Sequence, residues 1–344
     1  MKQKKLKLGV MLFWKNYNRQ ANLKIVKLAD RLGYDSVWLS EAWGYEIFSL
    51  LTEMAVHTKN IKLATGIINT FSRSPALIAM HAATLDEISN GRFILGLGAS
   101  GADVINGLHG RKFEKPLTQL RDVVRVVNTL LDGGKISDSG AVLSEYRPFA
   151  LEMKPVRNKV PIYVASIKEN AIRTIGEMAD GWIPLFYPMD ELKTGKKWLQ
   201  EGADKTGRSV DDIAVAPSTI VIPKFGPVDG KKQVRDVLAF YVGGMGGFYK
   251  EILTNFGWGK ECDEIASLYA NKETRSQASD AVTDDMINRL VIYGGVNQCR
   301  KELMELQEDG IIDSALINMP TNVSPLMLRG FLTAMAPNRS RAFF

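Results

Sequence analysis

The chain has 344 residues, of which 45% are hydrophobic and 24% are charged. This composition is typical of a folded protein with a sizeable core, and no apolar run approaches the roughly 20 residues that a membrane helix needs. The net charge of +6 is spread along the chain, which argues against a nucleic-acid-binding face. The only two cysteines, Cys262 and Cys299, lie far apart, so we expect a reducing, cytoplasmic location without disulfides or a zinc site.

Short β-branched runs alternate with helical patterns from one end of the chain to the other. Strands are predicted at residues 7–13, 36–40, 61–68, 93–97, 161–165, 181–187, 213–222 and 314–319. Because these runs are apolar along most of their length, they predict a parallel sheet covered on both faces. A closed barrel and an open doubly wound sheet both fit this pattern. The count of eight strands favours a single (β/α)₈ barrel domain over residues 1–344.

Two segments interrupt the alternation of strands and helices. Residues 136–159 resemble a hairpin-like excursion ahead of the fifth strand. Residues 225–285 form a long insertion that contains the glycine-rich run 243–247 and a polar stretch. We expect this insertion to be a loop that covers the strand ends as a lid, rather than a domain of its own.

The carboxyl ends of the strands receive priority as functional positions, because active sites of parallel barrels lie there. Glu41 and Trp43 follow the second strand. A carboxylate and a large aromatic at one strand end can transfer a proton and stack against a ring system, so both are candidate catalytic residues. A surface carboxylate beside a packing tryptophan explains the same two residues.

The segment that follows the fifth strand leads directly into a helix. It consists of Ser166, Ile167, Lys168, Glu169 and Asn170. The start of a helix offers unpaired backbone N–H groups and a positive dipole, which together suit a phosphate. The lysine adds a point charge. An ordinary helix cap fits this segment as well.

Glycines at the fourth strand, including Gly98, precede Ser100. Their spacing is not a dinucleotide-binding fingerprint, but glycines there let a planar ring approach the backbone. His109 follows the same strand and could reach the barrel mouth, although a loop residue without a role is the favoured interpretation. No cluster of histidine and acidic residues has metal-ligand spacing, so no metal is predicted.

Several motifs carry a resemblance to a known family. They are residues 64–76 (ATGIINTFSRSPA), 83–98 (ATLDEISNGRFILGLG), 113–121, 160–166 (VPIYVAS), 179–182, 293–296 and 308–313. Together they resemble the luciferase-like monooxygenase superfamily, in the coenzyme F420-dependent branch that includes methylenetetrahydromethanopterin reductase. The resemblance touches nearly the whole chain and is densest in its first half.

The resemblance implies a barrel oxidoreductase that transfers a hydride between the deazaflavin coenzyme F420 and a small organic substrate. It also implies a non-proline cis peptide bond in a bulge of the third strand, which matches Gly66–Ile67. Asn69 matches a position that contacts the coenzyme ring, and Ser166–Asn170 matches the site of the coenzyme phosphate. Members of the family are often homodimers.

This sequence departs from the family pattern in two places. Sugar-phosphate and alcohol dehydrogenases of the family carry an Asp-His pair after the second strand, where this chain has Glu41-Ala42. The pterin reductase carries a glutamate in its first strand, where this chain has Met11. Both departures argue against those substrates, and they leave Glu41 as the expected proton-handling group.

Three alternatives stay open at this point. The first is an FMN-dependent monooxygenase on the same fold. The second is a non-catalytic flavin-binding protein, which the missing Asp-His pair allows. The third is an unrelated barrel such as an aldolase or isomerase, for which Lys15 and Lys168 are the only candidate lysines.

Overall fold

The computed structural model describes residues 6–13, 18–137, 140, 148–223, 230–245, 247–319 and 324–338. Within them, eleven strands form one sheet in which every strand pairing is parallel. The strands are β1 (Leu8–Leu12), β2 (Ser36–Leu39), β3 (Lys62–Thr65), β4 (Ile68–Asn69), β5 (Phe93–Gly98), β6 (Ile162–Val164), β7 (Gly181–Trp182), β8 (Ala214–Val215), β9 (Ser218–Pro223), β10 (Val291–Gly294) and β11 (Ala315–Asn318).

The sheet closes on itself, which confirms the predicted barrel. The third predicted strand is interrupted into β3 and β4, and the seventh into β8 and β9. The ring runs from β1 through β7, and Leu185, beyond β7, bridges Ser218 at the start of β9. Strand β9 pairs with β11, which returns to β1. Strand β10 was not predicted and pairs with the end of β9.

A cluster of buried side chains fills the barrel interior. Its buried members, contributed from around the barrel, are Met11, Trp38, Ala64, Ile94, Ile183, Ala216 and Leu316. Because side chains alternate along a strand, the neighbouring residues Val10 and Leu12 point outward into the core beneath the helices. The interior is therefore packed rather than open, as expected for an eight-stranded barrel, and a ligand has to bind above it.

Helices cover the outside of the sheet. They are α1 (Arg19–Leu32), α2 (Ile47–His57), α3 (Pro75–Ile88), α4 (Pro116–Leu131), α5 (Glu169–Met178), α6 (Leu192–Asp204), α7 (Gly230–Gly244), α8 (Gly247–Leu253), α9 (Gly259–Ala270), α10 (Asp284–Leu290), α11 (Val296–Glu308) and α12 (Pro325–Met335). Ser74 caps α3 by accepting the Leu77 N–H at 3.2 Å, and Pro75 takes the first helical position. Among the described helices, none combines the length and hydrophobicity that crossing a bilayer requires.

The insertion differs from the loop that the sequence led us to expect. Its described residues form α7, α8, α9 and α10, which enclose a hydrophobic cluster of their own. Gly243 and Gly244 belong to this packing, since a Cβ on either would lie within 3.0 Å of the Tyr269 side chain. Tyr249 and Phe256 pack against both this cluster and the main core. Gly243 and Gly244 therefore permit close helix packing.

The predicted hairpin at residues 136–159 falls partly outside the described residues, which omit 138–139 and 141–147. Residues 148–159, which are described, contain no strand. A single backbone hydrogen bond, from the Ile136 N–H to the Phe149 carbonyl at 3.1 Å, joins the two ends of the segment.

Candidate functional site

The bulge of the third strand lies between β3 and β4. The Gly66–Ile67 peptide bond is cis, as the sequence resemblance implied. Neighbouring β2 holds this bulge in place, because the Gly66 N–H donates to the Leu39 carbonyl at 2.6 Å and the Glu41 N–H donates to the Ile67 carbonyl at 3.2 Å. The backbone of residues 66–67 is thus fixed from the side of β2.

Glycines are required where β5 passes the bulge. A Cβ on Gly96 would lie 1.9 Å from the Thr65 carbonyl oxygen, a distance that no side chain can occupy. A Cβ on Gly98 would lie 3.0 Å from Cδ1 of Ile67. Ser100, just beyond the strand, is exposed and has a φ of +65°. The two glycines therefore explain how β5 approaches the bulge so closely.

Asn69 shapes the loop that follows the bulge. Its buried side-chain oxygen accepts the N–H groups of Phe71 at 3.0 Å and Ser72 at 2.7 Å. Its Nδ2 lies 3.4 Å from Nε2 of His109. The fold therefore brings His109 to Asn69, in agreement with the interpretation in which this histidine reaches the barrel mouth. Forty positions separate the two residues, so local sequence gave no signal of this contact.

Glu41 forms a two-pronged ion pair with Arg73. Its two carboxylate oxygens accept from Nη1 at 2.5 Å and from Nη2 at 2.8 Å. Only 9% of the Glu41 side chain and 13% of the Arg73 side chain are exposed. The Ile47 N–H donates to Glu41 at 3.3 Å, and Glu46 lies 3.4 Å from Arg73. The prediction that Glu41 handles a proton finds no support here, because Arg73 engages both oxygens.

The ion pair borders an aromatic pair between α2 and α3. His81 stacks on Phe48 with ring centroids 4.3 Å apart and planes 11° apart, and the Arg73 guanidinium lies 5.4 Å from the Phe48 ring. Burial and the nearby Arg73 charge hold the pKa of His81 below its ordinary value. His81 therefore packs between two helices and does not lie at the barrel mouth.

A cleft of about 380 Å³ opens beside Trp43. Its other walls come from Asp103, Val104 and Leu108, in the loop after β5, and from Met245, in the turn between α7 and α8. Three glycines complete the lining. Trp43 is 45% exposed. The insertion therefore supplies one wall of a cleft that sequence reasoning did not locate.

The start of α5 lies where it was predicted, directly after β6. Lys168 occupies the N-cap position but makes no side-chain capping hydrogen bond. The side chains of Lys168, Glu169 and Asn170 are exposed. Ile167 is buried, and the Ser166 carbonyl accepts the Trp182 indole N–H at 2.6 Å. The first turn of α5 therefore has no side-chain cap, and a helix start of this kind suits an anion.

The insertion contacts this helix start through Lys168. The Lys168 ammonium lies 2.9 and 3.0 Å from the two carboxylate oxygens of Glu251 on α8. It also lies 5.5 Å from the ring of Phe248. Tyr187, after β7, buries its hydroxyl without a hydrogen-bond partner among the described residues, and burial raises its pKa above the ordinary range. No group of metal-binding side chains occurs in the described part of the chain.

Comparisons with known proteins agree with this geometry. The family model of luciferase-like monooxygenases matches residues 6–312. A Mycobacterium tuberculosis protein named as a coenzyme F420-dependent oxidoreductase is 28% identical, over 89% of this chain and 93% of that protein. The 5,10-methylenetetrahydromethanopterin reductase of Methanolobus tindarius is also 28% identical, over 83% of this chain and 86% of that protein.

A solved structure supports the same assignment of fold. The coenzyme F420-dependent tetrahydromethanopterin reductase of Methanopyrus kandleri superposes with a TM-score of 0.80 at 23% identity. The superposition covers 97% of this chain and 98% of that one. Because the family model covers residues 6–312, the chain belongs to the luciferase-like monooxygenase family.

Proposed function

We propose that the protein is an oxidoreductase that transfers a hydride between coenzyme F420 and a small organic substrate. The observation that carries the proposal is the close, glycine-lined approach of β5 to the bulge at residues 66–67, in the same barrel as an α5 start that has no side-chain cap. The similarity to relatives named for F420-dependent enzymes supports it. It also favours an enzyme over the non-catalytic alternative.

The residues present fit such a coenzyme. Gly98 leaves the Ile67 side chain uncovered by any Cβ from β5, which suits the approach of a planar ring. The first turn of α5, which has no side-chain cap, would hold a phosphate together with the Lys168 ammonium, which Glu251 pairs in this structure. When bound, the coenzyme supplies the redox chemistry, and the protein supplies position and electrostatics. Asn69 and Ser100 stay proposed ring contacts, on the loops that follow the two strands.

Glu41 acts in this proposal through Arg73. The ion pair ties the loop after β2 to the loop before α3, and the Glu41 N–H also holds the bulge. We assign Glu41 a positioning role and Trp43 the role of bounding the substrate. Removal of the Glu41 or the Trp43 side chain is expected to slow substrate turnover. In Glu41→Gln, the dependence of the turnover rate on pH is expected to stay as in the native protein. A shifted profile would return Glu41 to proton transfer.

The single-domain organisation and the lid role of the insertion also stay proposals. Contacts of Tyr249 and Phe256 with both hydrophobic clusters support one cooperative unit. The two cysteines are buried and free, which supports a cytoplasmic location. A single cooperative unfolding transition is the expected result, and two separate transitions would contradict the single unit.

A homodimer is proposed on the exposed face of α3. Leu77, Met80 and Ile88 lie on this helix with 40%, 48% and 40% of their surface exposed. Exposed apolar stripes of this kind mark interaction surfaces. Light scattering after size exclusion is expected to give a dimer mass, and Met80→Lys is expected to shift it to a monomer. A monomeric native protein would contradict the proposal.

The experiment that tests the proposed function is a pair of coenzyme titrations. The protein is titrated with F420 and separately with FMN, and the fluorescence of each coenzyme is followed. Saturable quenching of F420 supports the proposal. The family assignment keeps an FMN-dependent monooxygenase as the second candidate. Binding of FMN alone, with oxygen consumption by the reduced FMN complex, would establish that alternative.

A further inference from the structure

The cleft beside Trp43 begins within a few residues of the bulge on two sides. Trp43 follows Glu41 by two positions, and the Glu41 N–H contacts the Ile67 carbonyl at 3.2 Å. Gly101, in the wall of the cleft, follows Gly98 by three positions. Chain connectivity therefore places the cleft next to the bulge, and the turn after α7 forms its outer wall.

The lining of the cleft is chemically one-sided. Trp43, Val104, Leu108 and Met245 present apolar surface, and Asp103 is the one ionisable residue among the described lining residues. That lining contains no lysine or arginine with which to neutralise a phosphate or carboxylate. The carboxylate of Asp103 repels anions, and sites that bind phosphate place cations or N–H groups against it.

The volume of the cleft limits the size of its ligand. About 380 Å³ lies at the lower end of the range for small-molecule sites. Gly107 belongs to the lining, and a Cβ there would meet nothing within 4 Å, so a larger side chain has room at this position. The cleft thus suits a ligand with few heavy atoms, whose affinity comes mainly from apolar burial.

We propose that this cleft is the substrate subsite and that it accepts a small, uncharged, largely apolar molecule and rejects phosphorylated or anionic ones. The proposal rests on the proposed function, because it takes the cleft to adjoin the redox centre. It goes further by naming the class of substrate and by giving the insertion a part in selecting it through Met245.

The test is equilibrium binding to the full-length protein, measured by ligand-observed NMR. Neutral methyl ketones from butanone to octan-2-one form the apolar series, and glucose 6-phosphate is the anionic probe. Each added methylene is expected to lower Kd about fourfold until the cleft is filled. A flat series, or binding of glucose 6-phosphate in the cleft, would overturn the proposal.

Two variants localise the binding. Gly107→Leu fills the cleft and is expected to abolish ketone binding. The matched control is Ala102→Leu, which adds the same side chain at an exposed position of the same loop outside the lining. Leu108→Lys, at a side chain that is 56% exposed, serves if Gly107→Leu does not fold, and it is expected to weaken binding of the longest ketone at least tenfold. Ketone binding that survives both changes would contradict the site.

A parallel F420 titration separates the two hypotheses. If F420 does not bind the native protein but the ketone results hold, the coenzyme assignment fails and the apolar cleft stands. If Gly107→Leu removes F420 binding together with ketone binding, the cleft belongs to the coenzyme and the substrate proposal fails. Unchanged F420 binding with lost ketone binding is the predicted pattern.

Discussion

Removing Arg73 is expected to destabilise the protein more than removing Glu41. In the native structure only 9% of the Glu41 side chain is exposed. After Arg73→Met, the one partner that Glu41 keeps among the described residues is the Ile47 N–H at 3.3 Å. Breaking a buried pair in this way costs about 3–5 kcal/mol, which the position near the rim reduces to about 2–4 kcal/mol. After Glu41→Gln, Arg73 keeps Glu46 at 3.4 Å and the glutamine oxygen, so about 1–2 kcal/mol is expected.

Urea unfolding measures both values, provided the slopes of the transitions match. The internal control is the pair Arg19–Glu53, which has a similar 2.5 Å contact but whose arginine is 60% exposed. Arg19→Met is expected to cost far less stability than Arg73→Met, because water screens the charges of an exposed pair. Equal losses for Arg19→Met and Arg73→Met would refute the argument from burial, and so would a larger loss for Glu41→Gln than for Arg73→Met.

Three further changes test other parts of the account. Gly96→Ala is expected to lower the free energy of unfolding by about 3 kcal/mol or more, measured by thermal or urea unfolding, because its Cβ would lie 1.9 Å from a backbone oxygen. Gly98→Ala is expected to keep the fold and to raise the Kd for F420. Similar stability of the two variants would contradict the argument from the Gly96 contact. Because the pKa of His81 is lowered, the folded state binds fewer protons than the unfolded state, and stability falls as the pH drops below about 6.5. His81→Phe keeps the ring stack and is expected to lose less stability than the native protein between about pH 7.5 and 5.5. Equal losses in the two proteins would refute a lowered pKa at His81. Glu251→Gln releases Lys168 and is expected to lower the Kd for F420 about two- to fivefold, since an exposed ion pair is worth about 0.2–1 kcal/mol. The Kd of a deazaflavin without a phosphate is the control and is expected to stay unchanged.

The barrel was predictable because its strands are marked locally. Runs such as residues 93–97 are apolar and bounded by turn residues, and Ser74-Pro75 is typical of a helix start. These local patterns were sufficient to predict the strands and helices of the barrel. The interruption of the seventh strand and the existence of β10 were not predictable, because they depend on pairing between distant segments. The helices of the insertion were missed because the glycine-rich run 243–247 indicated a loop, whereas Gly243 and Gly244 allow close packing against Tyr269.

The site was only partly predictable for a similar reason. The bulge at Gly66–Ile67 and the start of α5 follow from motifs that are contiguous in sequence. The partner of Glu41 is Arg73, and the partner of Asn69 is His109, each contributed by a different loop. Pairings of this kind arise from the closure of the barrel, which brings the strand ends together. The residue types at the strand ends therefore predicted where the candidate site lies. They did not predict which side chains from different loops contact one another there.

The central claim is that a phosphate-bearing deazaflavin binds with its phosphate at residues 166–170. The most direct measurement compares the Kd of F420 with that of its deazariboflavin fragment, which lacks the phosphate, in the native protein and in Lys168→Met. We predict that the fragment binds the native protein at least about tenfold more weakly than F420, because it lacks the charged hydrogen bonds of the phosphate. In Lys168→Met the ratio of the two Kd values is expected to be smaller, because one partner of the phosphate is removed. Equal affinity for the two ligands, or no saturable binding of F420, would contradict the account.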